Sequence, residues 1–190
     1  MDTLDLLLHP VRVRIVHAMS GGVTRTTSDL LAGLPDVSKA TVYRHVSLLA
    51  EAGVLEVVSE KRVHGAVERR YRLYRPRAVI NPDAAAAMTL DEHRRGFAAA
   101  IAALVAEFNT YLRQPDADPT EDKVGYRQIP LWLSQDELAE LISQIRTILV
   151  STMDNLPGPG RRLHLLNPIL FPLGTQKQET DLTSTGSHRT

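Results

Sequence analysis

The feature that most constrains the fold is a helical pattern from Ser38 to Ala52 that leads directly into a hairpin pattern. Serine is a favoured N-cap, and Gly53 is a favoured stop just past the last helical residue. Val54–Ser59 and Val67–Tyr74 then predict two strands, joined by residues 61–66. The sequence therefore predicts a helix followed by a β-hairpin at the centre of an N-terminal domain.

Two further helices are predicted ahead of this unit. Apolar residues recur at steps of three and four from Thr3 to Met19, and Gly21 follows. A short second helix over residues 29–32 is capped by Thr27 or Ser28 and is closed by a glycine. Three helices and a hairpin in this order are typical of a winged helix-turn-helix, a fold that binds double-stranded DNA.

The helix that starts at Ser38 predicts the DNA-reading element. Val42, Val46 and Leu49 share one side and must face the core. The opposite side is small, hydroxylic and basic, which suits a helix in a major groove, where an arginine can reach a guanine edge. The hairpin tip would touch the flanking backbone. The predicted DNA-binding residues are Ser38, Lys39, Ala40, Thr41, Tyr43, Arg44, His45, Ser47, Lys61, Arg62 and His64.

The distribution of charge agrees with the prediction of DNA binding, although the chain as a whole is formally neutral. Residues 38–77 hold nine bases and four acids, which is +5, whereas residues 82–190 hold ten bases and fourteen acids, which is −4. A basic segment attached to an acidic remainder is typical of a DNA-binding module that carries a separate interaction domain.

Four stretches resemble the ArsR-type winged-helix repressors of bacteria: Leu8–Val16, Ser38–Val46, Leu49–Leu55 and Arg70–Leu73. The remaining chain looks like the C-terminal region of an actinobacterial subset of these regulators. The resemblance implies a homodimeric repressor of operator DNA whose recognition helix matches residues 38–47.

Beyond Asn81 an alanine-rich segment, residues 83–113, predicts one long helix. Its large apolar residues alternate at steps of three and four, as in helices that pack along a partner helix. The predicted dimerisation residues are Phe97, Ile101, Leu104 and Phe108.

The last part of the chain predicts a strand, a helix and a strand. Val124–Leu133 and Arg161–Phe171 are the two strand candidates, and Ser134 with Glu137 forms a capping box for the helix between them. The apolar residues of this region exceed what one helix can cover. They pair with a second copy across a dimer or line a pocket for a small apolar effector.

The predicted fold class is α+β and mainly helical. A winged helix-turn-helix over residues 1–80 is followed by a dimerisation and effector region over 81–173 and a disordered tail over 174–190.

Several other functions are disfavoured by the residues that are present or missing. The chain has no cysteine, which excludes disulfides and thiolate metal sites. Asp91, His93 and Glu107 match three positions of the zinc pattern found in relatives of this type, but Leu104 stands at the fourth. No phosphate-binding glycine loop or nucleophile elbow occurs, so neither an enzyme nor a cofactor is predicted.

The expected location is the cytoplasm, because no apolar run is long enough to span a bilayer or to act as a secretory signal. Two alternatives stay open at this point. One is a metal-responsive repressor of the same fold, and the other is a protein-interaction module that does not bind DNA.

Overall fold

The structure is a computed structural model, and we describe residues 6–63, 65–79, 82–153 and 155–174. The predicted tail lies outside these residues apart from Gly174. The N-terminal part contains three helices and a three-stranded antiparallel sheet. Its elements, in chain order, are α1 (Pro10–Ala18), β1 (Thr24–Thr26), α2 (Thr27–Gly33), α3 (Lys39–Glu51), β2 (Leu55–Val63) and β3 (Ala66–Leu73).

The predicted first helix is interrupted. Leu6 and Leu7 are helical, the chain turns at Leu8 and bends at His9, and helix α1 starts at Pro10. Residues 3–5 of the predicted helix lie outside the described residues. Proline has no N–H and its ring favours the first helical position, so it starts a helix more readily than it continues one. His9 caps the new start, since its Nδ1 accepts a hydrogen bond from the N–H of Val11 at 3.2 Å.

The second helix is capped one residue earlier than predicted, at Thr26. The Thr26 hydroxyl accepts a hydrogen bond from the N–H of Asp29 at 3.1 Å, and the Asp29 carboxylate accepts one from the N–H of Thr26 at 2.8 Å. This reciprocal pair satisfies two backbone donors that a helix start otherwise leaves open.

The helix-hairpin unit is confirmed, with a longer first strand than predicted and a second strand shifted by one residue. Ser38 is the N-cap of α3, and Gly53 follows the helix with a φ of 69°, a region that favours glycine. Strand β3 lies between β1 and β2, and the hairpin register runs from Leu55 opposite Leu73 to Val63 opposite Ala66. Strand β1, which had not been predicted, completes the sheet by pairing with β3.

One hydrophobic core holds these elements together. It takes residues from all three helices, from the start of β2 and from β3, and most of them are fully buried. Each large apolar side chain removed from water in this way contributes about 1.5–3 kcal/mol to folding. The core residues are Ile15, Met19, Leu30, Leu34, Val42, Val46, Leu49, Val54, Leu55 and Tyr71.

The C-terminal part begins with a 3-10 turn (Arg75–Arg77) and continues as α4 (Pro82–Ala86), α5 (Leu90–Leu112) and α6 (Gln135–Met153). The predicted single helix over 83–113 is therefore wrong, because the chain breaks between α4 and α5. The break occurs where Thr89 caps α5, in a capping box with Glu92. The polar stretch after α5 forms turns.

Helix α5 packs on α1 through its small residues. Ala99 and Ala103 are buried, and a Cβ added at Gly96 would come within 2.9 Å of the Leu8 side chain. Two of the predicted dimerisation residues, Phe97 and Phe108, lie on another face of α5. Phe97 keeps 51% of its surface exposed and Phe108 keeps 37%.

The two C-terminal strands were predicted wrongly. Residues 124–133 and 161–171 have no regular structure, although the helix between them is capped by Ser134 and Glu137 as predicted. A strand requires a hydrogen-bonded neighbour, and neither segment has one among the described residues. Pro130 and Pro168 also remove one backbone donor from each segment.

Candidate nucleic-acid interface

The outward face of α3 presents the side chains that the sequence predicted for DNA contact. Six of the eight helix positions are exposed, Thr41 is half-buried and His45 is buried. The exposed six are Ser38, Lys39, Ala40, Tyr43, Arg44 and Ser47. The structure therefore brings these residues together on one surface, because the apolar side of α3 is anchored in the core.

The N-terminus of α3 has a capped, exposed geometry that suits a phosphate group. The Ser38 Oγ accepts a hydrogen bond from the N–H of Thr41 at 3.2 Å and lies 2.8 Å from the Thr41 hydroxyl. The Lys39 ammonium lies 5.7 Å from the centre of the Tyr43 ring, within the range of a cation–π contact. A helix N-terminus with a lysine beside it attracts anions through the backbone dipole and the formal charge.

His45 lies in the interior, which removes it from the surface that can contact DNA. Its side chain is 1% exposed, and its ring centroid is 4.4 Å from that of His9. Burial, together with the smaller effect of the charges of His9, Arg12 and Arg44, lowers the pKa of His45 to about 4. Neither ring nitrogen of His45 has a hydrogen-bond partner among the described residues. This histidine is therefore a neutral packing residue between α1 and α3.

The wing, which we define as β2 and β3 with their connection, separates its bases into two groups. In the body of the wing, Arg69 pairs with Glu60 at 2.8 Å and Arg72 pairs with Glu56 at 3.0 Å. Near the tip, Lys61 and Arg62 are exposed and form no ion pair within the described residues. The tip bases are therefore free to meet an external anion. His64, also predicted for DNA contact, lies outside the described residues.

A groove of about 380 Å³ separates α3 from the wing. Tyr43 and Ser47 line its α3 side, Thr27 and Ser28 line its floor at the start of α2, and Arg69 lines its wing side. Hydroxyl groups on the α3 side and the floor, and the Arg69 guanidinium on the wing side, are groups that contact phosphate oxygens in protein–DNA complexes. The acidic Glu68 also lines the wing side. The sequence predicts Thr27 or Ser28 only as a helix cap and did not indicate that both residues line this groove.

A buried arginine fixes the turn that leads into α3. Arg14 of α1 is 2% exposed, and its guanidinium donates to both carboxylate oxygens of Asp36, at 2.7 and 2.8 Å. The same guanidinium donates to Glu107 of α5 at 3.3 Å and to the Thr110 hydroxyl at 3.4 Å. Asp36 stands two residues before the Ser38 cap. Arg14 thus connects α1, α5 and the start of the proposed recognition helix.

The pKa values of Asp36 and Glu107 reflect their contacts with Arg14. The hydrogen bonds from Arg14 lower the pKa of Asp36, so Asp36 stays ionised. Burial raises the pKa of Glu107, and the Arg14 charge partly offsets that effect. The sequence did not indicate this ion-pair cluster, which we call the Arg14 cluster (Arg14, Asp36 and Glu107).

Two of the three candidate zinc residues are engaged in other contacts. Asp91 pairs with Arg94 at 2.7 Å, and Glu107 pairs with Arg14. No group of three or more histidines and carboxylates within metal-binding reach occurs in the part of the chain that the structure describes. Likewise, no helix in the described ranges is long and apolar enough to cross a membrane.

Comparison with known protein families agrees with the architecture of this surface. Residues 7–58 match the family described as a helix-turn-helix domain. The match covers α1 to α3 and the first residues of β2, so the chain carries a helix-turn-helix domain, which suggests a DNA-binding regulator. No curated protein matches the sequence.

Proposed function

We propose that this chain is a sequence-specific, DNA-binding transcriptional repressor that acts as a homodimer. The observation that carries the proposal is the outward face of α3, where Ser38, Lys39, Tyr43, Arg44 and Ser47 are exposed together. This face belongs to a helix-turn-helix domain and stands beside a wing with unpaired bases at its tip.

In the proposed complex α3 lies in the major groove and the wing follows the flanking backbone. Arg44 is exposed in the middle of the helix and forms no ion pair among the described residues, so it can offer both guanidinium donors to a guanine edge. Lys61 and Arg62 lie at the wing tip and would neutralise phosphates without reading sequence.

The dimer is proposed because large apolar side chains remain exposed to solvent on a single chain. Phe97 and Phe108 on α5 are partly exposed, and Trp132 keeps 82% of its surface exposed. Exposed apolar surface of this kind usually marks an interface. A second copy is the favoured occupant because helix-turn-helix proteins commonly read two half-sites as dimers. A dimer that occupies a promoter would block transcription. A reporter gene placed downstream of the bound DNA fragment measures this repression.

The DNA proposal is tested on fragments enriched from genomic DNA by the full-length protein. Arg44→Ala should reduce discrimination between such a fragment and random DNA by about 1–3 kcal/mol, because a bidentate arginine–guanine contact is lost. Arg62→Ala should weaken binding to both DNAs about equally and reduce the salt dependence. Arg146→Ala on α6, which is also exposed, is the matched control and should change neither.

Three outcomes decide that experiment. Loss of discrimination in Arg44→Ala alone supports the proposed reading helix. Equal losses from both arginine variants on both DNAs would mean that Arg44 contacts only phosphate. Absence of binding by the unaltered chain to any DNA at low salt would refute the proposed function itself.

The dimer is tested with two neighbouring substitutions on α5. Ile101→Glu would place a carboxylate in the proposed interface, whereas Ala102→Glu places one on an exposed position of the same turn. Burying an unpaired charge costs several kcal/mol, so the first variant should dissociate the dimer and the second should not. Sedimentation reports the mass and circular dichroism reports folding. A folded Ile101→Glu dimer of unchanged affinity contradicts this interface.

A further inference from the structure

Helix α6 is amphipathic, yet its apolar side is only partly covered by the described part of its own chain. Apolar residues at helical spacing form one stripe along it, as on a helix that lies against a core. No residue of α6 is buried within the described chain, and Ile142 and Ile148 keep 50% and 66% of their surface exposed. We call this surface the α6 stripe, and it consists of Leu138, Leu141, Ile142, Ile145, Ile148 and Leu149.

The helix is nevertheless attached to the N-terminal domain at its end. The Arg75 guanidinium donates a hydrogen bond to the backbone carbonyl of Met153 at 3.0 Å. Just beyond the helix, the Leu156 side chain lies against the turn after α1, where a Cβ added at Gly22 would come within 3.3 Å of it. Helix α6 therefore presents its stripe from beside the domain proposed to bind DNA, and it is not a free tail.

The aromatic residues of α5 are in contact with other segments of the same chain. Phe97 lies edge-on to Phe171, with ring centroids 6.3 Å apart, and Phe108 lies edge-on to Tyr126 at 6.5 Å. Ala100 and Leu104 of α5 line a small cavity together with residues 165–167. The extended segments on both sides of α6 thus take up part of the apolar surface of α5, and the α6 stripe is left for a partner outside the chain.

The amount of exposed apolar surface in this region matches what a stable dimer needs. From Tyr126 to Leu173, seventeen large apolar side chains of the described residues are exposed. At roughly 60 Å² for each half-exposed side chain, they present about 1,000 Å² of apolar surface. The largest apolar patch of a typical monomer is about 300–600 Å², and a stable interface buries about 800 Å² on each partner. A second copy of the chain would cover a surface of this size.

We propose that the α6 stripe docks on the α6 stripe of a second copy of this chain, with the two helices antiparallel and fully overlapping. The inference rests on the proposed homodimer and adds a contact beyond α5. The stripe is aliphatic and carries no charge, so it is complementary to itself, as a two-fold interface requires. Asp136, Glu137 and Glu140 all lie near the start of α6. A parallel pair would set these acids side by side, whereas an antiparallel pair places them at opposite ends.

Cross-linking of the full-length chain tests the contact directly, because the sequence contains no cysteine. Full overlap of two antiparallel stripes brings residue 145 of one chain next to residue 145 of the other. Ile145→Cys should therefore form a disulfide-linked dimer under mild oxidation, as seen by non-reducing electrophoresis. Thr147→Cys, at an exposed position on the opposite face of α6, is the matched control and should stay unlinked. Equal linking of the two variants, or none in either, would overturn the proposed contact.

A second pair of variants measures what the contact contributes to the dimer. Ile142 is exposed on a single chain, so Ile142→Glu should leave the monomer folded but bury an unpaired carboxylate in the dimer. Its dimer dissociation constant should rise at least about tenfold, whereas Thr147→Glu should leave it unchanged. Sedimentation measures the constant, and circular dichroism checks that both variants are folded.

The outcomes separate this inference from the proposed function. A dimer that is equally stable in Ile142→Glu and Thr147→Glu would overturn the α6 contact and leave a dimer through α5 in place. An unaltered chain that stays monomeric at every concentration would overturn the homodimer together with the α6 contact. DNA binding is measured separately on an enriched fragment, so its loss or presence is scored independently of the cross-link.

Discussion

Acidification should destabilise this protein through His45, and the size of the effect follows from its surroundings. The unfolded chain has a histidine pKa near 6.5, and burial lowers the pKa of His45 to about 4 in the folded state. The unfolded state therefore binds more protons between these two values, so stability rises with pH across this window. The contribution of neutral His45 is fully present above pH 6.5 and is lost as the pH falls towards 4.

The linkage relation gives the magnitude. Between pH 7.5 and pH 5, a shift from 6.5 to about 4 removes about 2 kcal/mol of unfolding free energy. Burial and nearby cationic charge also lower the pKa values of His9 and His17, which act in the same direction. The raised pKa of Glu107 acts in the opposite direction, since the folded state then binds more protons. A variant is needed to isolate the part that belongs to His45.

Urea unfolding at a series of pH values, at one fixed protein concentration, measures the effect. His45→Leu keeps the position neutral and apolar, so its stability should fall by about 2 kcal/mol less than that of the unaltered chain between pH 7.5 and pH 5. His164→Leu, at an exposed position, is the matched control for replacing a histidine. Parallel pH curves for the unaltered chain and His45→Leu would show that the buried imidazole does not control this dependence.

Three further substitutions test the elements that position α3. Asp36→Asn should lower the unfolding free energy by about 1–3 kcal/mol, because the buried Arg14 loses a charged partner. Urea unfolding measures this loss, and an unchanged free energy would mean that the ion pair does not stabilise the fold. Ser38→Ala should cost about 1 kcal/mol through the lost helix cap, and an unchanged helix content and midpoint would contradict that role. Gly53→Ala should cost about 1–2 kcal/mol, since its φ is 69° and the new Cβ would lie 2.7 Å from a guanidinium nitrogen. Gly33→Ala has open space around its Cβ and should cost less in the same melting experiment.

The sequence predicted the helix-hairpin unit well because its signals are local. The Ser38 cap, the apolar spacing of Val42, Val46 and Leu49, and the stop at Gly53 all lie within one short stretch. The exposed face of α3 followed from the same periodicity. Among the predicted contact positions on this helix, only His45 is buried, because it packs against His9 at the start of α1, which the local pattern does not reveal.

Features that depend on distant partners could not be predicted in this way. Arg14 binds Asp36 and Glu107, which are 22 and 93 residues away in sequence, so no spacing rule connects them. The strands predicted at 124–133 and 161–171 failed for a related reason. Apolar residues indicate that a segment is to be buried. They do not show whether a neighbouring strand is present to form the backbone hydrogen bonds of a sheet.

The packing of α5 on α1 has a consequence for the geometry of the proposed DNA complex. Ala99 and Ala103 are buried at this joint, and Arg14 connects α5 to the turn before α3 through Glu107 and Asp36. If two copies join through α5, the distance and the rotation between the two reading helices are then set by the protein and not by a flexible linker. Such a dimer tolerates little variation in operator spacing. One base pair inserted between half-sites would rotate the second half-site by about 35° about the duplex axis, out of reach of its helix.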